Sequence, residues 1–142
     1  MMPMNNSMVK EVVNTIADRY GTCDPFKIAE ALNVDVTYAP FVHEPKGMRF
    51  EYGGQPAIAL SDEIQDSPQR YFVMAHELCH AIEHEGMAAL YTSNGHWRGQ
   101  LENQSDKFAV TLLSQFYIEE NGCLPSNYFD LVHAYGFPTI GD

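Results

Sequence analysis

The sequence predicts an α+β domain in which helices pack against a small antiparallel sheet of three strands. Two patterns support this prediction. Apolar residues recur every three or four positions in most of the chain, as in amphipathic helices, whereas residues 34–60 hold three short strand-like segments separated by turn residues. The length of 142 residues is close to the commonest domain size, and no linker or internal repeat divides it. We therefore expect one domain, residues 1–142, with a core at about 8–120 and a C-terminal helix and tail at 121–142.

The N-terminal segment is predicted to form two helices. Residues 8–20 carry apolar side chains at helical spacing, and Gly21 ends this pattern. Asp24 and Pro25 then supply an N-cap and a first-turn proline for a second helix over residues 26–32. Because basic residues are few, we interpret the pair as helices that pack on the sheet rather than as a DNA-binding helix-turn-helix.

Three strands are predicted to follow these helices. Residues 34–38 alternate between apolar and polar, residues 47–52 form a second strand, and residues 56–60 form a third. Gly53-Gly54-Gln55 has the composition of a tight turn between the last two strands. The simplest arrangement is a small antiparallel meander.

Residues 69–85 are predicted to form a buried helix. This segment contains no Gly or Pro, and Ser67-Pro68 provides an N-cap and a first-turn proline before it. Its apolar residues follow the spacing i, i+3, i+7 and i+10, which gives the helix a continuous apolar face.

The same helix carries the pattern H-E-x-x-H, at His76, Glu77 and His80. Two histidines four residues apart lie on one face of a helix, so both imidazoles can bind one metal ion. Glu77 projects to the side and can act as a base without binding the metal. The alternative is a buried helix with two hydrogen-bonded core histidines, and a downstream segment argues against it.

That downstream segment is a second predicted helix, which begins with two carboxylates four residues apart, Glu102 and Asp106. They share one helix face. The glutamate can supply a third metal ligand, and the aspartate can accept a hydrogen bond from the outer nitrogen of a ligand histidine. The alternative is a solvated acidic first turn that the helix dipole favours.

These motifs resemble the ImmA/IrrE family of zinc metallopeptidases, which share the thermolysin-like layout. The family pattern is H-E-L-x-H-x-x-x-H followed by E-x-x-A-[ND]-x-F-A-x-x-L-L, and the similarity covers roughly residues 8–120. The resemblance implies that the metal ligands are His76, His80 and Glu102. It also implies that Glu77 is the catalytic base and that Asp106 hydrogen-bonds a ligand. The chain departs from the family pattern at Cys79, Ser105 and Ser114-Gln115.

Residues 86–100 join the two helices of the predicted metal site. Long connections without secondary structure are uncommon in compact domains and are often functional. Peptide hydrolysis needs a hydrogen-bond donor for the developing oxyanion, and Tyr91 and His96 are candidates for that role. The alternative for each is ordinary surface packing.

The C-terminal residues show no pattern that indicates chemistry. Residues 124–134 are predicted to form a last short helix, and residues 136–142 a tail.

The composition limits the partners that we expect. Nineteen acidic and eight basic residues give a net charge of −11, which argues against direct binding to nucleic acid or to an anionic membrane. Three widely spaced cysteines do not make a disulfide framework, and no apolar segment approaches the roughly 18 residues of a membrane span. We therefore expect a cytoplasmic protein.

The function that the sequence favours is that of a zinc-dependent endopeptidase acting on a protein substrate, which binds along the strand at residues 56–60. Manganese or iron can also occupy a set of two histidines and a carboxylate. The resemblance implies that the substrate is a DNA-binding repressor, encoded in a prophage, another mobile element or a stress-response locus. Two alternatives stay open: a non-catalytic, metal-containing module that binds proteins, and a metal-dependent amidohydrolase acting on a small molecule.

Overall fold

The structure is a computed structural model that describes residues 6–40, 46–84 and 96–139. The described residues form five helices and three strands, which confirms the predicted α+β class. In chain order the elements are α1 (Asn6–Tyr20), α2 (Pro25–Ala31), β1 (Asp35–Ala39), β2 (Gly47–Tyr52), β3 (Gln55–Ser61), a short 3₁₀ turn (Asp62–Ile64), α3 (Gln69–His84), α4 (His96–Asn121) and α5 (Tyr128–Tyr135). None of the described helices has the length and apolar content that crossing a bilayer requires.

The predicted caps define where two of the helices begin. The Asp24 side chain accepts the N–H of Phe26 at 2.9 Å, in front of α2. The Ser67 hydroxyl accepts the N–H of Gln69 at 3.1 Å, in front of α3. Each cap satisfies a backbone donor that has no partner inside its helix.

The sheet is mixed, so the predicted antiparallel meander is wrong for β1. The strand order is β1-β3-β2, with β2 antiparallel and β1 parallel to the central strand. Six of the seven residues of β3 are buried. A strand that is apolar on both faces is most stable in the middle of a sheet, where both faces are covered. Because β1 and β2 occupy both of its edges, the prediction that a substrate binds along residues 56–60 is also wrong.

The core lies between the sheet and the helices. Side chains of β3 alternate between the two faces of the sheet, and Ile58 and Leu60 point into the core. The apolar face of α3 packs there as predicted, and the apolar side chains of α4 beyond Asp106 pack beside it. The buried residues of these two helices include Phe72, Ala75, Leu78, Cys79, Ile82, Phe108, Ala109, Leu112 and Leu113.

Helix α4 is longer than the sequence predicts. It begins at His96, so residues 96–100 are helical and do not belong to the connecting loop. Gly99 does not prevent this, because one glycine inside a helix costs only about 1 kcal/mol relative to alanine. The rest of the predicted loop, residues 86–95, lies outside the described part of the chain.

The last helix begins later than predicted, at Tyr128 rather than Leu124. Asn127 determines this start, because its side chain accepts the N–H groups of Phe129 and Asp130. The sequence suggested Leu124-Pro125-Ser126 as the opening, but the residue that caps the helix is the asparagine that follows.

Part of the predicted tail belongs to the core. Phe137 is 2% exposed, and its ring packs against Phe72 of α3 with 5.3 Å between centroids. Gly136 has a φ of +70°, and a Cβ there would lie 2.3 Å from the Cα of Gln69. The segment after α5 is therefore in close contact with the first turn of the helix that carries the H-E-x-x-H pattern.

Candidate metal centre

Helix α3 presents the two histidines of the H-E-x-x-H pattern together. The ring centroids of His76 and His80 are 5.2 Å apart, and the ring planes are inclined by 58°. Between them Leu78 and Cys79 are buried in the core. The helix thus separates its apolar residues, which face the core, from imidazoles that stay partly exposed.

Helix α4 supplies a carboxylate to the first of these histidines. The Nδ1 atom of His76 lies 2.9 Å from Oδ1 of Asp106. An ionised carboxylate can only accept hydrogen bonds, so the imidazole proton is assigned to Nδ1. Nε2 then carries the lone pair, which is the state that a metal-binding histidine needs. The sequence predicted that Asp106 accepts a hydrogen bond from a histidine of the site, and in the structure that histidine is His76.

Ser105 approaches the other nitrogen of the same ring. Its Oγ lies 3.4 Å from Nε2 of His76, a long contact, and the residue is fully buried. From the sequence alone Ser105 was only a departure from the family pattern. Its position next to Asp106 was the one sign that Ser105 could lie near the site. The direction of its hydroxyl could not be predicted, because it depends on how α4 is rotated against α3.

Strand β2 begins directly against the side of α3 that carries Glu77. A Cβ at Gly47 would lie 2.6 Å from Cγ1 of Val73 and 3.2 Å from Cγ of Glu77. Only glycine permits this close approach without moving a neighbour. Gly47 was predicted only as the first residue of a strand, although a glycine in a strand often marks a place where another element comes close.

The side chains of three predicted site residues lie outside the described part of the structure. Glu102 lies on α4 one turn before the aspartate, as predicted, but the side chains of residues 96–104 are outside the described part. His96 is the first residue of α4, and its side chain is outside as well. Tyr91 lies entirely outside the described residues.

The described residues provide part of a metal site. Their side chains include no group of three potential ligands around one point. They do include two imidazoles one helical turn apart, one of which has its outer nitrogen hydrogen-bonded to a carboxylate. This donor set suits a divalent ion that prefers nitrogen and oxygen ligands, as zinc does.

The fold and this arrangement are those of a candidate metallopeptidase: an α+β domain with H-E-x-x-H on one helix and a carboxylate partner on the next. The chain belongs to the Peptidase_M78 family, the IrrE N-terminal-like domain, whose family model matches residues 29–114. The match spans the sheet, α3 and the part of α4 that carries Asp106, and it confirms the resemblance to the ImmA/IrrE family. Membership makes the chain a peptidase of the metallopeptidase type, which acts on proteins. No curated protein and no solved structure matches the chain.

Proposed function

We propose that this chain is a zinc-dependent endopeptidase that hydrolyses a peptide bond within a protein substrate. The observation that carries the proposal is the hydrogen bond between His76 and Asp106, 2.9 Å long. It leaves Nε2 of His76 able to bind a metal, one helical turn from His80. Membership of a peptidase family supports peptide-bond hydrolysis as the reaction.

Each residue of the site has a proposed part. His76, His80 and Glu102 would hold the ion, and Asp106 keeps the His76 proton on Nδ1. When bound, the ion acts as a Lewis acid and makes water acidic enough to react near neutral pH. The Glu77 carboxylate accepts a proton from the attacking water and passes it to the nitrogen of the leaving amine. Tyr91 and His96 stay candidates for binding the oxyanion.

The substrate backbone is proposed to bind along the outer edge of β2. No strand of the described ranges pairs with that edge, and β2 begins at Gly47, beside Glu77. An extended peptide added there would form main-chain hydrogen bonds of the kind that bind many peptides to sheet edges. The scissile bond would then pass close to the proposed base.

A basic protein is the proposed substrate, and a DNA-binding transcriptional repressor is the candidate that the family resemblance suggests. The net charge of −11 favours encounter with a positively charged partner, most strongly at low ionic strength. The three cysteines are all thiols rather than disulfides, which fits a reducing cytoplasm.

Two matched substitutions test the mechanism. Glu77→Gln removes the base but keeps the size of the side chain, so zinc content and melting temperature should match the parent. Cleavage of a degenerate library of unstructured peptides should fall about 10²–10⁴-fold, the usual contribution of general base catalysis. Glu102→Gln should instead lose zinc and, with it, the stability that a bound metal provides. Glu11→Gln, on the exposed side of α1, serves as the control and should change neither property.

The outcomes separate the rival functions. Cleavage by Glu77→Gln within a few-fold of the parent would show that another group is the base. A zinc-loaded parent that binds protein partners but cleaves no peptide would indicate the non-catalytic binding module. Hydrolysis of small amides without hydrolysis of peptides would indicate the amidohydrolase.

A further inference from the structure

Strand β2 exposes three large apolar side chains on one face. Met48, Phe50 and Tyr52 are 41%, 39% and 53% exposed. They alternate along the strand, so all three point to the face of the sheet opposite the helices. Their partners on β3 are Ala59, Ala57 and Gln55, which are smaller. We call Met48, Phe50 and Tyr52 the β2 stripe.

The β2 stripe is held in place. The rings of Phe50 and Tyr52 are stacked, with 6.1 Å between centroids and 29° between planes. The Tyr52 hydroxyl donates a hydrogen bond to the Asp35 carboxylate of β1, so its ring reaches across the central strand. A binding surface that is ordered beforehand loses less entropy when a partner binds.

An exposed apolar stripe on an edge strand is unusual, because proteins normally protect sheet edges with charges, prolines or covering segments. Exposed apolar patches of this kind mark interaction sites. The edge of β2 begins at Gly47, next to Glu77, so a peptide paired with that edge would lie beside both the stripe and the proposed catalytic centre. This shared edge favours the substrate polypeptide as the occupant over a second copy of the chain.

We infer that the β2 stripe selects substrate segments that are extended and carry apolar side chains at every second position. The inference rests on the proposed function and specifies its substrate class. A peptide added to the edge of β2 directs alternate side chains to the two faces of the sheet. Those on the outward face lie beside Met48, Phe50 and Tyr52 as cross-strand neighbours, whereas those between them face α3 and Glu77. The stripe would therefore contact every second side chain of the substrate.

Two peptides of identical composition test this selection. One alternates apolar and polar residues, and the other holds the same residues in separate apolar and polar blocks. Zinc-loaded parent should cleave the alternating peptide with the higher kcat/KM, mainly through a lower KM. Phe50→Ser should reduce that preference about two- to fivefold, the effect of one cross-strand pair. Phe129→Ser removes an aromatic side chain that is 59% exposed on α5, and this control should leave the preference unchanged.

A binding measurement separates the selection from the reaction. Zinc-loaded Glu77→Gln should bind the fluorescently labelled alternating peptide more tightly than the block peptide. If that preference holds but the parent cleaves neither peptide, the proposed function fails and the selection stands. Equal binding and equal cleavage of the two peptides would overturn the selection while leaving the peptidase intact. A parent that is dimeric in sedimentation, and that Phe50→Ser converts to a monomer, would assign the β2 stripe to a second copy and also overturn it.

Discussion

His76 has a polar neighbour at each ring nitrogen, and the two neighbours would have opposite effects on the proposed metal binding. Asp106 accepts the proton of Nδ1 and so favours the tautomer that a metal requires. Ser105 lies at Nε2, where its hydroxyl can donate to the lone pair that a metal would use. If His76 binds a metal as proposed, its affinity depends on two adjacent residues of α4: Asp106 would favour binding and Ser105 would compete with it.

We expect Ser105→Ala to tighten zinc binding about two- to tenfold. The substitution removes the 3.4 Å contact of Ser105 Oγ with Nε2 of His76, which would have to break before a metal binds there, and a hydrogen bond contributes about 0.5–1.5 kcal/mol. Competition with a chromophoric zinc chelator measures the change. Weaker binding in the variant would mean that the hydroxyl supports the metal site instead of competing with it.

Ser61 provides a matched control, because Ser61 and Ser105 are the buried polar residues among those described. The Ser61 hydroxyl accepts the N–H of Glu63 and caps the short 3₁₀ turn. Ser61→Ala should therefore reduce stability by about 1 kcal/mol, as the loss of a cap does, and leave zinc affinity unchanged.

The spacing of the site residues could be predicted, but their contacts across helices could not. Helical geometry alone pairs His76 with His80, and Glu102 with Asp106, because residues four apart share a face. Which histidine meets the aspartate depends on how α3 and α4 pack, and spacing within one helix contains no information about that. The Ser105 contact was missed for the same reason.

At the scale of elements, the C-terminal segment supports α3, the helix that carries the H-E-x-x-H pattern. The rings of Tyr135 and Tyr71 lie 5.5 Å apart, and Phe137 packs on Phe72. Gly136, between these aromatic residues, touches the backbone of Gln69 at the start of α3. Helix α3 is thus fixed from this side at its first turn, ahead of the histidines.

Gly136→Ala should destabilise the protein more than Gly122→Ala does. Both glycines follow a helix with a positive φ, +70° and +75°, so alanine costs about 1–2 kcal/mol at either position. A Cβ at Gly122 meets nothing within 4 Å, whereas one at Gly136 overlaps the backbone of Gln69. We expect an additional loss of about 1–3 kcal/mol, typical of forced overlap. Urea unfolding of the zinc-loaded variants measures the difference, and equal losses would show that the segment can move away from α3 at little cost.

The sequence predicted the elements well but not their neighbours. Helical periodicity and caps located α1, α2 and α3 to within two residues, because these signals are local. The order of the strands depends on pairing between distant segments. Strand β1 pairs with β3, although β2 lies between them in the sequence. The continuous apolar run of β3 was the one sign of a central strand. Phe137 was predicted to lie in a tail, because one aromatic residue after a glycine has no periodicity that would reveal its partner.

For the molecule as a whole, two buried groups predict how stability varies with pH. Burial, together with the nearby carboxylate of Glu119, raises the pKa of the Cys23 thiol from 9.0 to about 11. Burial and the hydrogen bond to Glu120 also raise the pKa of Tyr135. Both groups bind protons more tightly in the folded state than in the unfolded state. Their contribution is fully present below pH 9 and is lost as the pH rises.

We therefore expect the free energy of unfolding to fall between about pH 9 and pH 11. In that range the unfolded thiol ionises first, which stabilises the unfolded state. Urea unfolding at pH 7 and pH 10.5 measures the loss under one set of metal conditions. Cys23→Ala should lose less stability over this interval than the parent does, and an equal loss in both proteins would contradict the assignment to Cys23.

The contact between Gly136 and α3 also sets an order in which parts of the fold can form. Translation produces the H-E-x-x-H helix well before the residues that support its first turn. At about 5–20 residues per second, on the order of 3–11 s separate the synthesis of His80 from that of Phe137. During that interval the helix lacks Tyr135 and Phe137, and the core beside it is incomplete. A nascent chain therefore carries the complete H-E-x-x-H pattern before it has the aromatic residues that fix the start of that helix.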